Sequence, residues 1–211
     1  MEATQKYTED TLKAYGIVPW HINWKIKELT QAFKDNNKDR VLRLSADLGH
    51  YIADAHVPLH ASENYDGQQT GQKGIHAFWE SRLPELFYTN YDFFVGSAEY
   101  LDSPFYNVWK AVKESFNARD SVLDFERKLS LSYPEDKKYT LVQKGANTQK
   151  VYTEEYSKAY EQLLNGMVER RLRASIKLVG SIWYTCWVNA GQPALNGMSD
   201  SPLTPEQQQQ L

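Results

Sequence analysis

The chain has little that would suit a membrane, a disulfide or a polynucleotide. Its single cysteine, Cys186, cannot close an internal disulfide, and it says little about compartment. No run of roughly 18 apolar residues occurs, so no transmembrane span is expected. The opening stretch, MEATQKYTEDTLKAYG, lacks the apolar core of a signal peptide. Net charge is -3, and basic residues gather only in the short clusters ERRLRASIK (169–177) and DKKYT (136–140). The basic stripe that grips duplex phosphates is missing, so stable duplex DNA binding is not expected. No internal repeat is present, and alternating β-branched residues are scarce, which argues against a sheet. Two metal motifs are also absent: the Glu-x-x-His pairs of di-iron bundles and an adjacent His-Asp dyad.

What remains reads as helix. The 211 residues suit one domain, or one and a half, and can bury a real core. A short polar helix is expected over residues 2–15, stopped by Gly16. Pro19 then suits a first helical turn, and Trp20, Ile22, Ile26, Leu29 and Phe33 recur at helical spacing. From Asp39 to Val57, a second stripe of Val41, Leu44, Leu48, Ile52 and Ala55 ends at Pro58. Residues 61–74 are rich in Gly, Asn and Gln and read as a surface loop. A further helix starts near Ile75, ended or kinked at Pro84. Two or three helices are expected over 85–133, and one long element over 152–189, closed by Gly191 and Pro193. The end, SDSPLTPEQQQQL, is polar and aperiodic. The expected fold is all-α: a multi-helix bundle with a metal-binding cleft, one domain over 1–195 and a disordered tail over 196–211.

Chemistry concentrates in one place. HYIADAHVPLH (50–60) holds three of the five histidines, and GIHAFWES (74–81) supplies a fourth. Residues four apart share a helix face, so His50 projects with Asp54, and His76 with Glu80. His60 follows Pro58, where the chain turns back. Imidazole nitrogens and carboxylate oxygens suit zinc. Five such ligands on three short elements could hold two metals, with Asp54 as the bridging carboxylate, and paired metals about 3.5–4 Å apart are a recurring device for phosphodiester hydrolysis. His56 lies about 200° around the helix from Asp54 and reads as a capping or packing residue. His21 reads as core or as support for a ligand. Asp47 could orient His50 or belong to a solvated pair with Arg43. Trp79 and the aromatic clusters FYTNYDFF and WYTCW read as core.

These motifs resemble the superfamily of zinc-dependent phospholipases C and fungal-type single-strand nucleases, whose members carry His-x3-Asp-x5-His and a later His-x3-Asp or His-x3-Glu. The longer string YGIVPWHI … LGHYIADAHVPLHASENYDGQ … GIHAFWESRLPELF looks like the bacterial zinc-dependent phospholipase C branch, as does WVNAGQP near the end. The resemblance covers roughly residues 5–195. It implies an all-α fold with a trinuclear zinc site in a cleft. By that resemblance His50 is a ligand of the first, buried metal and Asp54 the carboxylate bridging two metals. His60, His76 and Glu80 then form the protein ligand set of the more exposed metal.

The family's amino-terminal tryptophan and nearby histidine, and its upstream aspartate and histidine, have no counterpart here. The expectation is a chain lacking the family's amino-terminal third, with one full zinc ligand set and a half-site of His50 and Asp54. The resemblance also implies a secreted or periplasmic protein, although no signal peptide is present in this chain. The expected function is zinc-dependent phosphodiester hydrolysis, a zinc-bound hydroxide attacking phosphorus, with the general base unassigned. The substrate is a phospholipid or a single-stranded nucleic acid. The alternative is a non-catalytic zinc-binding helical fragment or interaction module, inactive because upstream ligands are missing.

Overall fold

A computed structural model describes residues 16–145 and 147–195; the expected helix over 2–15 and the tail over 196–211 lie outside the described residues. The chain is mainly helical, with one small sheet. Helix α1 spans Val18–Lys34 and α2 spans Lys38–Ala55. The Asn37 side chain caps α2 by accepting from the Arg40 N–H at 3.1 Å. A 3-10 turn, Pro58–Ala61, follows. Next come α3 (Ile75–Ala77), a π-helical turn (Phe78–Arg82) and α4 (Leu83–Phe87). An extended strap leads to the long helix α5, Pro104–Ser132. Strands β1 (Tyr139–Lys144) and β2 (Asn147–Tyr152) precede α6 (Glu154–Leu164) and α7 (Met167–Asn189).

Two apolar clusters hold these elements. In the first, Ile22, Ile26, Leu29 and Phe33 of α1 meet Leu44, Leu48 and Ile52 of α2, Val108 of α5 and Ile182 and Cys186 of α7. The second gathers Leu59, Ile75, Phe78, Leu83, Val122, Tyr156, Tyr160 and Val168. Helices α5 and α7 run through both. At 1.5 Å per residue, the 29 residues of α5 span about 44 Å, so this helix ties the cluster under α1 and α2 to the one under His60 and His76.

Several expectations change here. Trp20 leaves its stripe: it is 38% exposed and sets its ring edge-on to Trp109 at 5.1 Å. Of the two outcomes expected at Pro84 the chain takes the irregular one: the helix begun at Ile75 runs through a π turn and on into α4. Leu83 N–H donates to the Phe78 carbonyl, five residues back, and this wider turn relieves the clash between the proline ring and the backbone ahead of it. Residues 61–74 form the expected loop, largely at the surface, with a packed inner side. Asn64 and Gln72 are buried, and Gln72 Nε2 donates to Glu126 at 2.5 Å. Gly67 sits at φ +72°, where a Cβ would fall 2.5 Å from the Gln72 carbonyl oxygen. The two or three helices expected over 85–133 are the end of α4, a 3-10 turn over Tyr88–Asn90 and α5, which takes 104–132 as one helix. Residues 154–189 form two, because Asn165 and Gly166 both take left-handed backbone. A sheet does form, as the antiparallel hairpin pairing Tyr139 with Tyr152 through Lys144 with Asn147. It is mostly exposed, so it carries no apolar alternation, and Tyr152 at its base stacks on Phe78 at 3.9 Å.

The basic cluster 169–177 is committed internally. Arg173 pairs with Asp92 at 2.9 Å and Lys177 with Glu99 at 2.7 Å. One and two turns further along α7, Ser181 Oγ accepts from Glu99 N–H and Thr185 Oγ1 from Leu101 N–H. This row of side chains four apart fastens the strap over 91–103 to the helix. Among the described residues no helix is long and apolar enough to cross a membrane.

Candidate metal centre

His60, His76 and Glu80 reach one another from two separate elements. His60 stands on the 3-10 turn that Pro58 begins, directly after α2. His76 and Glu80 lie four apart across the junction of α3 with the π turn. One ligand atom from each lies within 4.8 Å of the others. Glu80 Oε2 is 2.7 Å from His76 Nε2 and 3.5 Å from His60 Nε2, and the two imidazole rings sit 4.8 Å apart by centroid. Zinc bonds of about 2.0–2.1 Å at tetrahedral angles put neighbouring donors roughly 3.3 Å apart. The His60–Glu80 separation already fits, and the direct His76–Glu80 hydrogen bond must open by a few tenths of an ångström. The side chains are 37%, 24% and 38% exposed, so a cation held by them would face solvent.

The loop before α3 orients His76. Its Nδ1 lies 2.9 Å from the Tyr65 carbonyl oxygen, which only accepts, so Nδ1 carries the proton and Nε2 faces Glu80. Asp66 Oδ1 accepts from the Gly74 N–H at 3.0 Å and from the His76 N–H at 3.4 Å, holding the start of α3. The electrostatics follow from this packing. The His60 and His76 imidazoles hold the Glu80 carboxyl at about 2, far below its ordinary value. The Glu80 carboxylate in turn raises His76 against the opposing effect of burial. A divalent cation here would have to compete with a proton for His76.

His50 and Asp54 form a separate pair. They contact at 3.5 Å on α2, and the His50 side chain is 70% exposed. Among the described residues they join no third metal-competent side chain. Asp54 does share a wall with His60, since both line a cavity of about 790 Å³ between the amino-terminal end of α1, the end of α2 and α5. Asp47 faces Lys25 of α1 at 3.8 Å, so it has a cation as neighbour in place of His50. His21 packs edge-on against Tyr51 at 4.5 Å, and Trp79 is buried.

The residue missed from sequence is Arg171. It is 8% exposed, and its guanidinium donates to the His56 carbonyl (2.9 Å), the Ala111 carbonyl (2.9 Å), Ser115 Oγ (2.6 Å) and Glu114 Oε2 (2.9 Å). It thereby pins the end of α2, four residues ahead of His60, to α5. Its one sequence signal is an arginine, at 171, on the same face as Val168 and Ser175, both buried.

His56 lies beside this clamp. Nδ1–H donates to the Ile52 carbonyl at 2.8 Å, and burial lowers the imidazole from 6.5 to about 4. Between those values the unfolded chain binds more protons than the folded one. The stability is therefore complete above pH 6.5 and is lost as the pH falls towards 4, by about 3 kcal/mol at most. Urea unfolding from pH 7 to 4 is expected to show that loss, and His56→Asn to remove its share of the slope.

Comparison with protein-family models, with curated proteins and with solved structures finds no match.

Proposed function

We propose that the chain is a metal-dependent phosphodiester hydrolase of the zinc phospholipase C and single-strand nuclease type, with zinc held by His60, His76 and Glu80. The convergence of those three donors at an open position, beside a cavity large enough for an organic ligand, carries the reading. Two neutral imidazoles and a carboxylate match the number and kind of protein ligands of an open zinc site. A zinc there would supply Lewis acidity towards a phosphoryl oxygen and would lower the pKa of water. The chain's own residues do the positioning. Tyr65 and Asp66 fix His76, and Glu80 keeps its negative charge down to about pH 2. Asp54, on the shared wall, offers a second carboxylate towards the same space. We place a phospholipid or single-stranded nucleic acid as the substrate.

The separation of His50 and Asp54 from the triad favours one alternative, a non-catalytic zinc-binding module. Metal analysis of the purified protein, followed by phosphatidylcholine, single-stranded DNA, RNA and a 3′-nucleotide as substrates, separates the two. Bound zinc with chelator-sensitive cleavage of at least one substrate is the expected result. One zinc per chain with no turnover supports the module, and a protein that takes up no zinc overturns both.

A further inference from the structure

Where the loop over 61–74 meets α5, two buried groups lack their usual partners. Glu126 of α5 is 4% exposed and makes no salt bridge among the described residues. The buried cations Lys138 and Arg171 pair with Glu135 and Glu114 instead. The Glu126 carboxylate accepts only from Gln72 Nε2, at 2.5 Å, and from Tyr156 Oη, at 2.7 Å. The second group is the Gln72 amide oxygen, which is buried and unpaired. A buried charge without a counter-ion and a buried amide oxygen without a donor are both unfavourable. Here both follow from one orientation of the Gln72 amide. Its Nε2 is shared between Glu126 and the Leu123 carbonyl, 2.8 Å away, and since these are acceptors the amide fits only this way round.

Gln72 also closes the loop. Its N–H donates to the Gly67 carbonyl at 2.9 Å, and its carbonyl accepts from the Ile75 N–H at 3.1 Å, at the first residue of α3. Within that closure the Asn64 carbonyl accepts from the Gly67 N–H, and Asn64 Oδ1 from the Gln69 N–H. Tyr65 and Asp66, which orient His76, sit inside this knot. Among the described residues, the two bonds from Gln72 Nε2 are the hydrogen bonds that join the loop to α5.

We propose that Gln72 and Glu126 are positioning residues: the buried carboxylate fixes the Gln72 amide, the amide fixes the loop against α5, and the loop sets the His76 ring at the metal centre. The service to a metal rests on the zinc reading above, whereas the placement of His76 does not. Packing alone would be served by two apolar side chains of the same shape, with no buried charge. The polar pair adds direction, because a hydrogen bond weakens steeply once its angle falls below about 120°. A metal ligand needs that precision, since its distance to the ion holds to within about 0.2 Å.

The test uses the whole chain and separates stability from position. Gln72→Met and Glu126→Met each leave a buried polar partner unpaired and are expected to lower the urea midpoint. The double variant replaces both partners by apolar groups of similar shape and is expected to recover most of that loss. Tyr156→Phe removes the other bond to Glu126 and keeps the tie to the loop. The readouts are amide exchange in the zinc-free protein and zinc affinity by chelator competition. In the double variant the Gly74 and His76 amides, which donate to Asp66, are expected to exchange about tenfold faster, and zinc to bind about tenfold more weakly. Tyr156→Phe is expected to leave both readouts close to the parent, although it too unfolds at lower urea. The proposal is overturned if the double variant matches the parent in amide exchange or in zinc affinity, or if Tyr156→Phe loses as much as Gln72→Met. The two readings fail separately. Faster exchange in the double variant of a protein that takes up no zinc leaves His76 positioned by Gln72 and removes the metal centre. A parent that binds zinc, with variants unchanged in both readouts, does the reverse.

Discussion

Glu80→Ala and His60→Ala are each expected to weaken zinc binding by about a hundredfold to a thousandfold. Zinc affinities near 10–16 kcal/mol are shared among three or four ligands, so one ligand is worth roughly 3–4 kcal/mol. Glu80 carries an additional charge effect. Its carboxylate faces both imidazoles and is ionised at every working pH, so it is the one formal anion of the triad. Glu80→Gln keeps the shape and removes the charge, and it is expected to fall close to Glu80→Ala. Asp66→Ala touches no donor atom. It releases the N–H groups of Gly74 and His76, and a loss of about 10–100-fold is expected, the range for residues that orient metal ligands. Acid acts in the same direction. Zinc has to displace a proton from His76, which Glu80 holds above its ordinary value, so affinity falls steadily as the pH drops through the imidazole range. Competition titration against a chromophoric chelator at several pH values measures all of this. Since the three side chains are between 24% and 38% exposed, chelator-treated variants should unfold near the parent midpoint. A parent protein with only millimolar zinc affinity, or variants indistinguishable from it, would remove the centre.

How much of this was legible from sequence depends on where polar groups fall on the helices. Helix α2 was clear because each of Val41, Leu44, Leu48, Ile52 and Ala55 is both apolar and buried. Helix α5 was not, because Ser115 and Glu126 occupy its buried stripe. Ser115 donates to the Ala55 carbonyl at 2.7 Å, and Glu126 accepts from Gln72 and from Tyr156 Oη. A pattern that counts only apolar residues breaks there, whereas the structure pairs those groups through tertiary partners. The hairpin escaped for a related reason. Leu141 is 70% exposed, so no periodic inner face marks the strand. At the site, the i, i+4 rule placed His50 with Asp54 and His76 with Glu80, since both spacings are local. That His60 meets the second pair and not the first depends on the turn at Pro58 and on the packing of residues 61–74, which no spacing encodes.

Arg171 tests that dependence most severely. Arg171→Met fills much of the same space but leaves the His56 and Ala111 carbonyls and Ser115 Oγ short of a donor. The expected cost is about 3–5 kcal/mol, as for breaking a buried charged cluster. The Glu114 carboxylate contributes the smaller part, because its side chain is 46% exposed and can rehydrate. The His56 carbonyl has no such recourse and costs about 1–3 kcal/mol when unsatisfied, whereas Ala111 keeps its helical partner and Ser115 its bond to Ala55. Arg171→Lys keeps a cation but not the fork of donors, so it serves one or two of the four acceptors and should lose about half as much. That variant gives the more informative result. It is expected to remain folded with the triad intact, while the end of α2 keeps the Ser115–Ala55 bond and only one or two of the clamp's contacts to α5. If His60 owes its position to that clamp, zinc affinity in Arg171→Lys should drop several-fold without any change in a ligand. Unfolding in urea and zinc competition on the same preparation separate the two effects. A less stable protein with parent zinc affinity would show that the turn at Pro58 positions His60 unaided.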